Sequence, residues 1–251
     1  MIWLLTLLLS FSFAHGDSSI EQIHALGGQV IEGSKPNTIY IAIGLSPLFV
    51  AADLEARLGH LSVARLPASG VADVVRGQFV MADGEDLLHH YFDYFLAPYI
   101  AAGAESGAQF EVLDWGYSGL SIESARRILG QYFLSKGIPS TQLHYAILTS
   151  RRTQIIDRNS DRVVLIDPQL SAQIKDRKFS ELRSYKKILL DDWYVWFQNR
   201  HLFKSDLETA KPMMIEKIEA SFLPQGEAAY QMMVENFRPF VCKSLLTGNS
   251  I

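Results

Sequence analysis

The residues best suited to chemistry lie in one short stretch near the middle of the chain. The apolar run 110–113 ends in Asp114, and the small residues Ser118, Gly119 and Ser121 follow before a helical pattern begins. The first turn of a helix carries unpaired N–H groups and the positive end of the helix dipole, so it attracts anions. Serine hydroxyls add donors, and glycine lets a phosphate approach the backbone. The spacing therefore predicts a phosphate cradle, with a carboxylate placed to accept hydrogen bonds from sugar hydroxyls.

The same residues also have a purely structural interpretation. Asp114 would then form the turn at the end of its strand. Ser121 would be an ordinary helix N-cap, with Ser124 at the capping-box position where glutamate is usual. These residues alone fit both a phosphate site and a structural turn. The strands and helices around them are needed to choose between the two interpretations.

The elements that position this stretch are short apolar strands alternating with helices. Continuous apolar runs, typical of buried parallel strands, occur at residues 38–43, 62–66, 110–114, 144–149 and 162–167. Helical spacing occupies residues 20–30, 48–58, 85–102 and 122–135, and we expect the first helix to break at Gly27 and Gly28. This alternation predicts an α/β fold with a mostly parallel central sheet flanked by helices.

Ligands of open α/β sheets bind beyond the carboxyl ends of the strands. Two further loops that follow predicted strands are therefore candidate binding loops. The first strand is followed by Gly44, Leu45 and Ser46. The proline after them lacks an N–H donor, so this loop is the weaker phosphate site. Arg151 and Arg152 follow the strand at 144–149 and suit bidentate pairing with a phosphate, or else form a solvated loop. We expect all these loops to gather at one edge of the sheet.

The two ends of the chain differ in pattern from residues 17–180, which we assign to the α/β domain. Residues 1–14 are almost wholly apolar but too short to span a bilayer, and Ser12-Phe13-Ala14 fits a small-x-small cleavage rule. They predict a signal peptide over residues 1–16 and export to the periplasm or outside the cell. The alternative is a hydrophobic first element of a cytoplasmic protein.

Residues 181–251 predict a C-terminal helical extension that caps or flanks the α/β domain. Helical spacing occupies residues 184–203, 206–221 and 227–246. Aromatic residues at 193–197 are explained by core packing or by a face for a protein partner. Cys242 stands in an apolar run and is expected to be buried.

The composition and the motifs missing from the sequence argue against several classes of function. The net charge is −4 and no dense basic patch occurs, so nucleic-acid binding has no support. A single cysteine excludes an intramolecular disulfide and a cysteine-rich zinc site. His89 and His90 point to different faces of one helix, so they predict no metal site. The serine-hydrolase elbow, the Walker loop and the dinucleotide-binding glycine turn are all missing from the sequence.

The stretch from Asp114 to Ser121 resembles the phosphoribosyl pyrophosphate (PRPP) loop of type I phosphoribosyltransferases. In that family a hydrophobic strand is followed by two acids, a few small residues and a Thr/Ser-Gly-x-Thr/Ser turn that caps a helix. Asp114 matches the second acid, while Leu113 stands where the first acid belongs. The turn is matched by Ser118-Gly119-Leu120-Ser121, with Tyr117 directly before it.

The resemblance implies a function and places the loops within it. Asp114 would orient a ribose, residues 117–121 would hold its phosphate, and residues 44–46 would stand in the place of a pyrophosphate loop. The loop at 151–152 would border a base pocket, and Mg²⁺ would accompany PRPP. The protein would bind a ribose phosphate or PRPP and transfer the phosphoribosyl group to a base. Because the first acid is missing, the alternative is an exported, non-catalytic protein of this fold that acts as a binding or interaction module.

Overall fold

The computed structural model describes residues 19–44, 46–68, 84–116, 119–176, 207–221 and 226–247. At its centre is a five-stranded sheet in which every pair of neighbouring strands is parallel. The strands are β1 (Thr38–Ile43), β2 (Val63–Leu66), β3 (Gln109–Trp115), β4 (Leu143–Thr149) and β5 (Arg162–Leu165). The predicted α/β fold with a parallel central sheet is confirmed. The predicted strands differ from the observed ones by only one or two residues at their ends.

Helices connect and flank these strands. They are α1 (Ser19–Glu32), α2 (Leu48–Leu58), α3 (Gly84–Ser106), α4 (Leu120–Ser135), α5 (Gln154–Asn159), α6 (Pro168–Asp176), α7 (Leu207–Ser221) and α8 (Gly226–Thr247). The end of α2 at Gly59, which has φ of 92°, agrees with the sequence prediction.

The expected break in the first helix at Gly27 and Gly28 is wrong, because α1 runs through both glycines. Glycine is needed at position 27 for space, since a Cβ there would overlap the carboxylate of Asp53 on α2. Burial of Ile23, Leu26 and Val30 against the core offsets the low helix propensity of the two glycines.

The strand order in the sheet is 2-1-3-4-5, one of the common orders of doubly wound sheets. The chain passes from β1 to β2 on one side and then crosses to β3 on the other side of β1. Right-handed crossovers therefore place α2 on one face and α3 and α4 on the opposite face. The ring of Phe110 in β3 accordingly packs against Phe133 of α4, with ring centroids 4.9 Å apart.

The central strands are continuously apolar because helices cover both faces of the sheet. In β3, every residue after Gln109 is buried, and Val112 and Leu113 are fully enclosed. The largest side chains of the core come from β3, α3, α4 and α8, and include Phe110, Phe92, Tyr132 and Phe237. Tyr91 and Phe92 of α3 belong to this core as well.

The last two helices pack on the outside of the α/β layers. α7 lies against α3, and α8 lies against α2 and α1, so α8 flanks the sheet rather than closing over its carboxyl edge. Arg65 of β2 pairs with Glu227 at the start of α8 and stacks on the ring of Tyr230, with 3.9 Å from Cζ to the centroid. Cys242 is exposed on α8, so its predicted burial is wrong. Val241 takes the buried position instead, because adjacent helical residues point about 100° apart.

The predicted signal peptide at 1–16 and the predicted helix at 184–203 lie outside the described residues. Within the described ranges, no helix has the length and apolar character needed to cross a bilayer.

Candidate functional site

Two of the loops singled out by the sequence follow neighbouring strands, β1 and β3, at the carboxyl edge of the sheet. These strands are neighbours in the sheet, yet the chain leaves them in opposite directions, β1 toward β2 and β3 toward β4. Such a switch point opens a crevice beyond the strand ends, which is where doubly wound folds bind ligands. The N-termini of α2 and α4 follow the two loops, so the positive ends of two helix dipoles border this crevice.

Asp114, the last but one residue of β3, is held inside the turn that follows it. Its Oδ1 accepts a hydrogen bond from the N–H of Trp115 at 2.7 Å, and its Oδ2 accepts one from the hydroxyl of Ser121. The side chain is only 7% exposed. Burial raises the pKa of Asp114 above its ordinary value, and the two donated hydrogen bonds offset part of that rise. Asp114 therefore fixes the first turn of α4 to the end of β3 through its bond to Ser121.

Gly119 forms the turn into α4 and is its N-cap, a position that one interpretation of the sequence gave to Ser121. Its φ of 74° lies in the left-handed region that favours glycine. A Cβ at this position would lie 3.2 Å from the backbone nitrogen and Cα of Ile156 in α5. The close neighbour that glycine permits here is thus the backbone of α5, which brings the loop after β4 against the loop after β3.

The first turn of α4 keeps the features of an anion site. No side chain among the described residues caps it, and its first intrahelical bond runs from Glu123 N–H to Gly119 carbonyl at 3.1 Å. The hydroxyl of Ser121 is turned toward Asp114, and that of Ser124 donates to the Leu120 carbonyl at 2.9 Å. Backbone N–H groups, rather than the hydroxyls of Ser121 and Ser124, are therefore the donors that the described residues after Leu120 offer in this turn. Tyr117 and Ser118, two of the predicted phosphate-binding residues, lie outside the described residues.

The loop after β1 borders the crevice from the other side. Gly44 has φ of 78°, and its N–H donates to the carbonyl of Leu66 at 3.0 Å, so that donor is committed to β2. Ser46 is half-buried, Leu45 lies outside the described residues, and Pro47 is the N-cap of α2 without a side-chain cap. As a pyrophosphate loop this segment offers the hydroxyl of Ser46 and the first turn of α2.

The loop after β4 carries the two arginines. Thr149, fully buried at the end of β4, bonds through its hydroxyl to the carbonyl of Arg151 at 2.9 Å. Arg152 is exposed and its Nε lies 2.5 Å from Oδ1 of Asp157 in α5. The contact between Gly119 and α5 makes this loop the neighbour of the turn into α4, so the structure gathers all the predicted loops at one edge.

One donor at this edge was not predicted from the sequence. The indole N–H of Trp115, the last residue of β3, is buried and has no acceptor among the described residues. A buried polar group without a partner is uncommon in folded proteins. The signal available in the sequence was its place directly after Asp114.

A buried ionic cluster away from this edge was also missed. Asp53 of α2 is fully buried, with Oδ1 2.6 Å from Nδ1 of His24 and Oδ2 2.8 Å from Nε of Arg57. The sequence signal was an aspartate in an otherwise apolar run, four residues before an arginine. Because it joins α1 to α2, the cluster explains how the first helix is attached.

The described residues at the edge do not supply a magnesium site of their own. Magnesium prefers oxygen ligands in an octahedron, and the described residues include no group of three acidic, histidine or cysteine side chains that could hold a metal. Both oxygens of Asp114 already accept hydrogen bonds.

The chain was compared with protein families, with curated proteins and with solved structures. No family model, curated protein or solved structure matches this chain.

Proposed function

We propose that this protein binds a small phosphorylated ribose, free or as part of a nucleotide-like molecule, in the crevice between the ends of β1 and β3. The observation that carries the proposal is that two glycine turns, at Gly44 and Gly119, follow neighbouring strands at the switch point of the sheet. Each turn leads directly into a helix. Two helix N-termini at one crevice favour an anionic ligand, and phosphate is the anion most often bound in this way.

The surroundings of the crevice agree with a phosphate bearing a polar body. The loop with Arg151 and Arg152 adjoins the Gly119 turn through α5, and guanidinium groups pair well with phosphate oxygens. The buried indole N–H of Trp115 is a further donor at the same strand end. The phosphate would lie against the first turn of α4, and the sugar would extend along the edge of the sheet.

Within this proposal we favour binding without phosphoribosyl transfer. Leu113 stands where the resembled family has its first acid, and its side chain is fully buried in the core. Asp114 is buried with both oxygens engaged, so it lacks the free oxygen pair that would hold two ribose hydroxyls. Transfer to a base and a role for Mg²⁺ remain predictions from the resemblance. Export, which we infer from residues 1–16, fits a binding protein better than an enzyme because PRPP is a cytoplasmic metabolite; N-terminal sequencing of the mature protein tests it.

The experiment is isothermal titration calorimetry of the full chain with ribose phosphate, inorganic phosphate, ribose and PRPP, the last with and without Mg²⁺. We expect ribose phosphate to bind more tightly than inorganic phosphate and ribose to bind weakly or not at all. A ligand at about a hundred times its Kd should add ~2.7 kcal/mol to the free energy of unfolding, so thermal shifts give an independent readout. Incubation of PRPP with Mg²⁺ should release no pyrophosphate.

Two variants that each add a negative charge, one at the crevice and one away from it, test where ribose phosphate binds. In Gly116→Glu the new Cβ would lie 3.5 Å from Oγ of Ser121, so the added carboxylate stands at the crevice and should repel phosphate. Ser106→Glu adds the same charge at the exposed end of α3, by the opposite edge of the sheet, and should bind normally. Far-ultraviolet circular dichroism establishes that both variants fold. Equal binding by the two variants, or no binding of ribose phosphate by the parent chain at millimolar concentration, would refute the proposal.

A further inference from the structure

A second cavity lies between α3 and α7. Its volume is about 290 Å³, close to the lower end of the range for small-molecule pockets. α3 contributes His90, Tyr91, Asp93 and Tyr94, and α7 contributes Lys211, Met214 and Ile215. The proposed ribose-phosphate site uses none of these residues.

The inner wall of this cavity is apolar. Tyr91 and Met214 are almost fully buried, and the hydroxyl of Tyr91 is committed to the carbonyl of Pro67. Tyr94 and Ile215 are half-buried and complete the wall. Aromatic rings and a methionine thioether form adaptable surfaces that suit flat or irregular apolar groups. An apolar body of modest size would therefore be stabilised here by desolvation.

The charges at the rim are unequal. Asp93 is already satisfied, because its Oδ1 accepts from the hydroxyl of Tyr132 at 2.8 Å and lies 2.6 Å from Nζ of Lys136. Lys211 is half-buried and has no acidic partner in the part of the chain that the structure describes. A lysine beside an apolar cavity without a carboxylate partner gives that end of the cavity a positive potential.

Tyr94, which lines the cavity from α3, lies within reach of the negative charge of Glu219. Burial and the negative charge of Glu219 both raise the pKa of Tyr94. Glu219 lies two turns along α7 from Lys211, a separation of roughly 12 Å along the helix axis. Lys211 is therefore the lining residue that favours an anionic group, and it is separated along α7 from the negative charge of Glu219.

We propose that this cavity binds a small amphipathic carboxylic acid. Its carboxylate would pair with Lys211, and its apolar body would lie against Tyr94, Met214 and Ile215. Charge-assisted hydrogen bonds to the ammonium group and burial of the apolar body would supply the affinity.

The test is calorimetric titration of the full chain with naphthoate, compared with the uncharged naphthylmethanol. We expect naphthoate to bind and the alcohol to bind about tenfold more weakly, since it lacks the charge. Lys211→Met should weaken naphthoate about tenfold, to the affinity of the alcohol, and leave the alcohol unchanged. Raising the salt concentration should weaken naphthoate alone, because the rim is partly open to solvent.

Two further variants test whether the loss of naphthoate binding is specific to the cavity. Lys217→Met removes an exposed lysine from the same helix and should leave naphthoate binding unchanged. Ile215→Trp places a larger side chain at the half-buried wall and should abolish binding of both probes, with folding checked by circular dichroism. The proposal is overturned if naphthoate fails to bind the parent chain, or if Lys211→Met binds it as tightly as the parent does. Displacement of naphthoate by ribose phosphate would also overturn it, because the two sites share no residue.

Discussion

The hydroxyl of Ser121, in the first turn of α4, donates a hydrogen bond to Oδ2 of Asp114, seven residues earlier at the end of β3. This bond joins the two ends of the glycine turn that borders the proposed site. It also supplies one of the two hydrogen bonds that satisfy a buried carboxyl group. The geometry of the turn therefore depends on this pair before any ligand arrives.

Ser121→Ala should lower the free energy of unfolding by about 1–3 kcal/mol, because a buried carboxyl oxygen loses its donor. Ser124→Ala is the matched control on the same helix. The hydroxyl of Ser124 donates only to the carbonyl of Leu120 within α4, so its loss should change stability by less than about 0.5 kcal/mol. Urea denaturation of the two variants measures the difference, and equal losses would show that the bond to Asp114 carries no special stability.

Asp114→Asn should alter how stability depends on pH. Burial raises the pKa of Asp114 in the folded protein above the ordinary value of 3.8, so the folded state retains a proton that the unfolded chain releases. The stabilising contribution of this group is therefore complete below pH 3.8 and is lost as pH rises through the folded pKa. The asparagine variant lacks this loss.

The measurement is the free energy of unfolding of both proteins from acidic to neutral pH. Relative to the parent chain, Asp114→Asn should become more stable as pH rises above 3.8 and reach a constant difference above the folded pKa. A difference that does not vary with pH, or that falls as pH rises, would contradict the raised pKa.

Gly119→Ala should destabilise the protein for two reasons that a control variant separates. The φ of 74° disfavours any residue with a Cβ, and that Cβ would also press on the backbone of Ile156. Gly137 has a similar φ of 78°, but a Cβ there meets no other atom within 4 Å. Gly137→Ala should therefore cost about 1 kcal/mol and Gly119→Ala about 2–4 kcal/mol. Thermal and urea unfolding of both variants check this, and equal costs would mean that the contact with α5 adjusts freely.

Most elements of the fold were readable because their signals are local. Continuous apolar runs bounded by small residues gave the strands, and Gly59 marked the end of α2 where it was expected. The position of β1 between β2 and β3 was not readable, since strand order depends on tertiary packing. The candidate site likewise had one feature with a local signal and one that depends on tertiary contacts. Residue types identified the turn after β3, whereas the commitment of Asp114 and Ser121 to each other required coordinates.

The errors have a common physical origin in packing between helices. Helix propensity alone predicted a break at Gly27 and Gly28, but contacts of α1 with α2 override it. Cys242 was assigned to the interior from an apolar run, and the rotation of α8 exposes it while burying Val241. In each case the local pattern did not account for the elements against which the helix packs.

Substitutions at the two glycines of α1 should have opposite effects. In Gly27→Ala the new methyl group would overlap Oδ2 of Asp53, which is fully buried and lies 2.8 Å from Nε of Arg57. Neither the helix nor the carboxylate can move without weakening this ion pair or the contact with His24, so we expect a loss of about 2–4 kcal/mol. In Gly28→Ala the nearest atom is Nη1 of Arg57, at an ordinary 3.8 Å.

Gly28→Ala should therefore stabilise the protein by about 0.5–1 kcal/mol, the usual gain from replacing glycine in a helix interior. Denaturant midpoints of the two variants, with unchanged slopes, provide the measurement. If both alanines stabilised the protein, α1 would not be packed on Asp53 as the structure has it. If both destabilised it equally, the helix would be unable to accept a methyl group at either position. The opposite signs at adjacent residues isolate the contact with Asp53, because helix propensity acts on both positions alike.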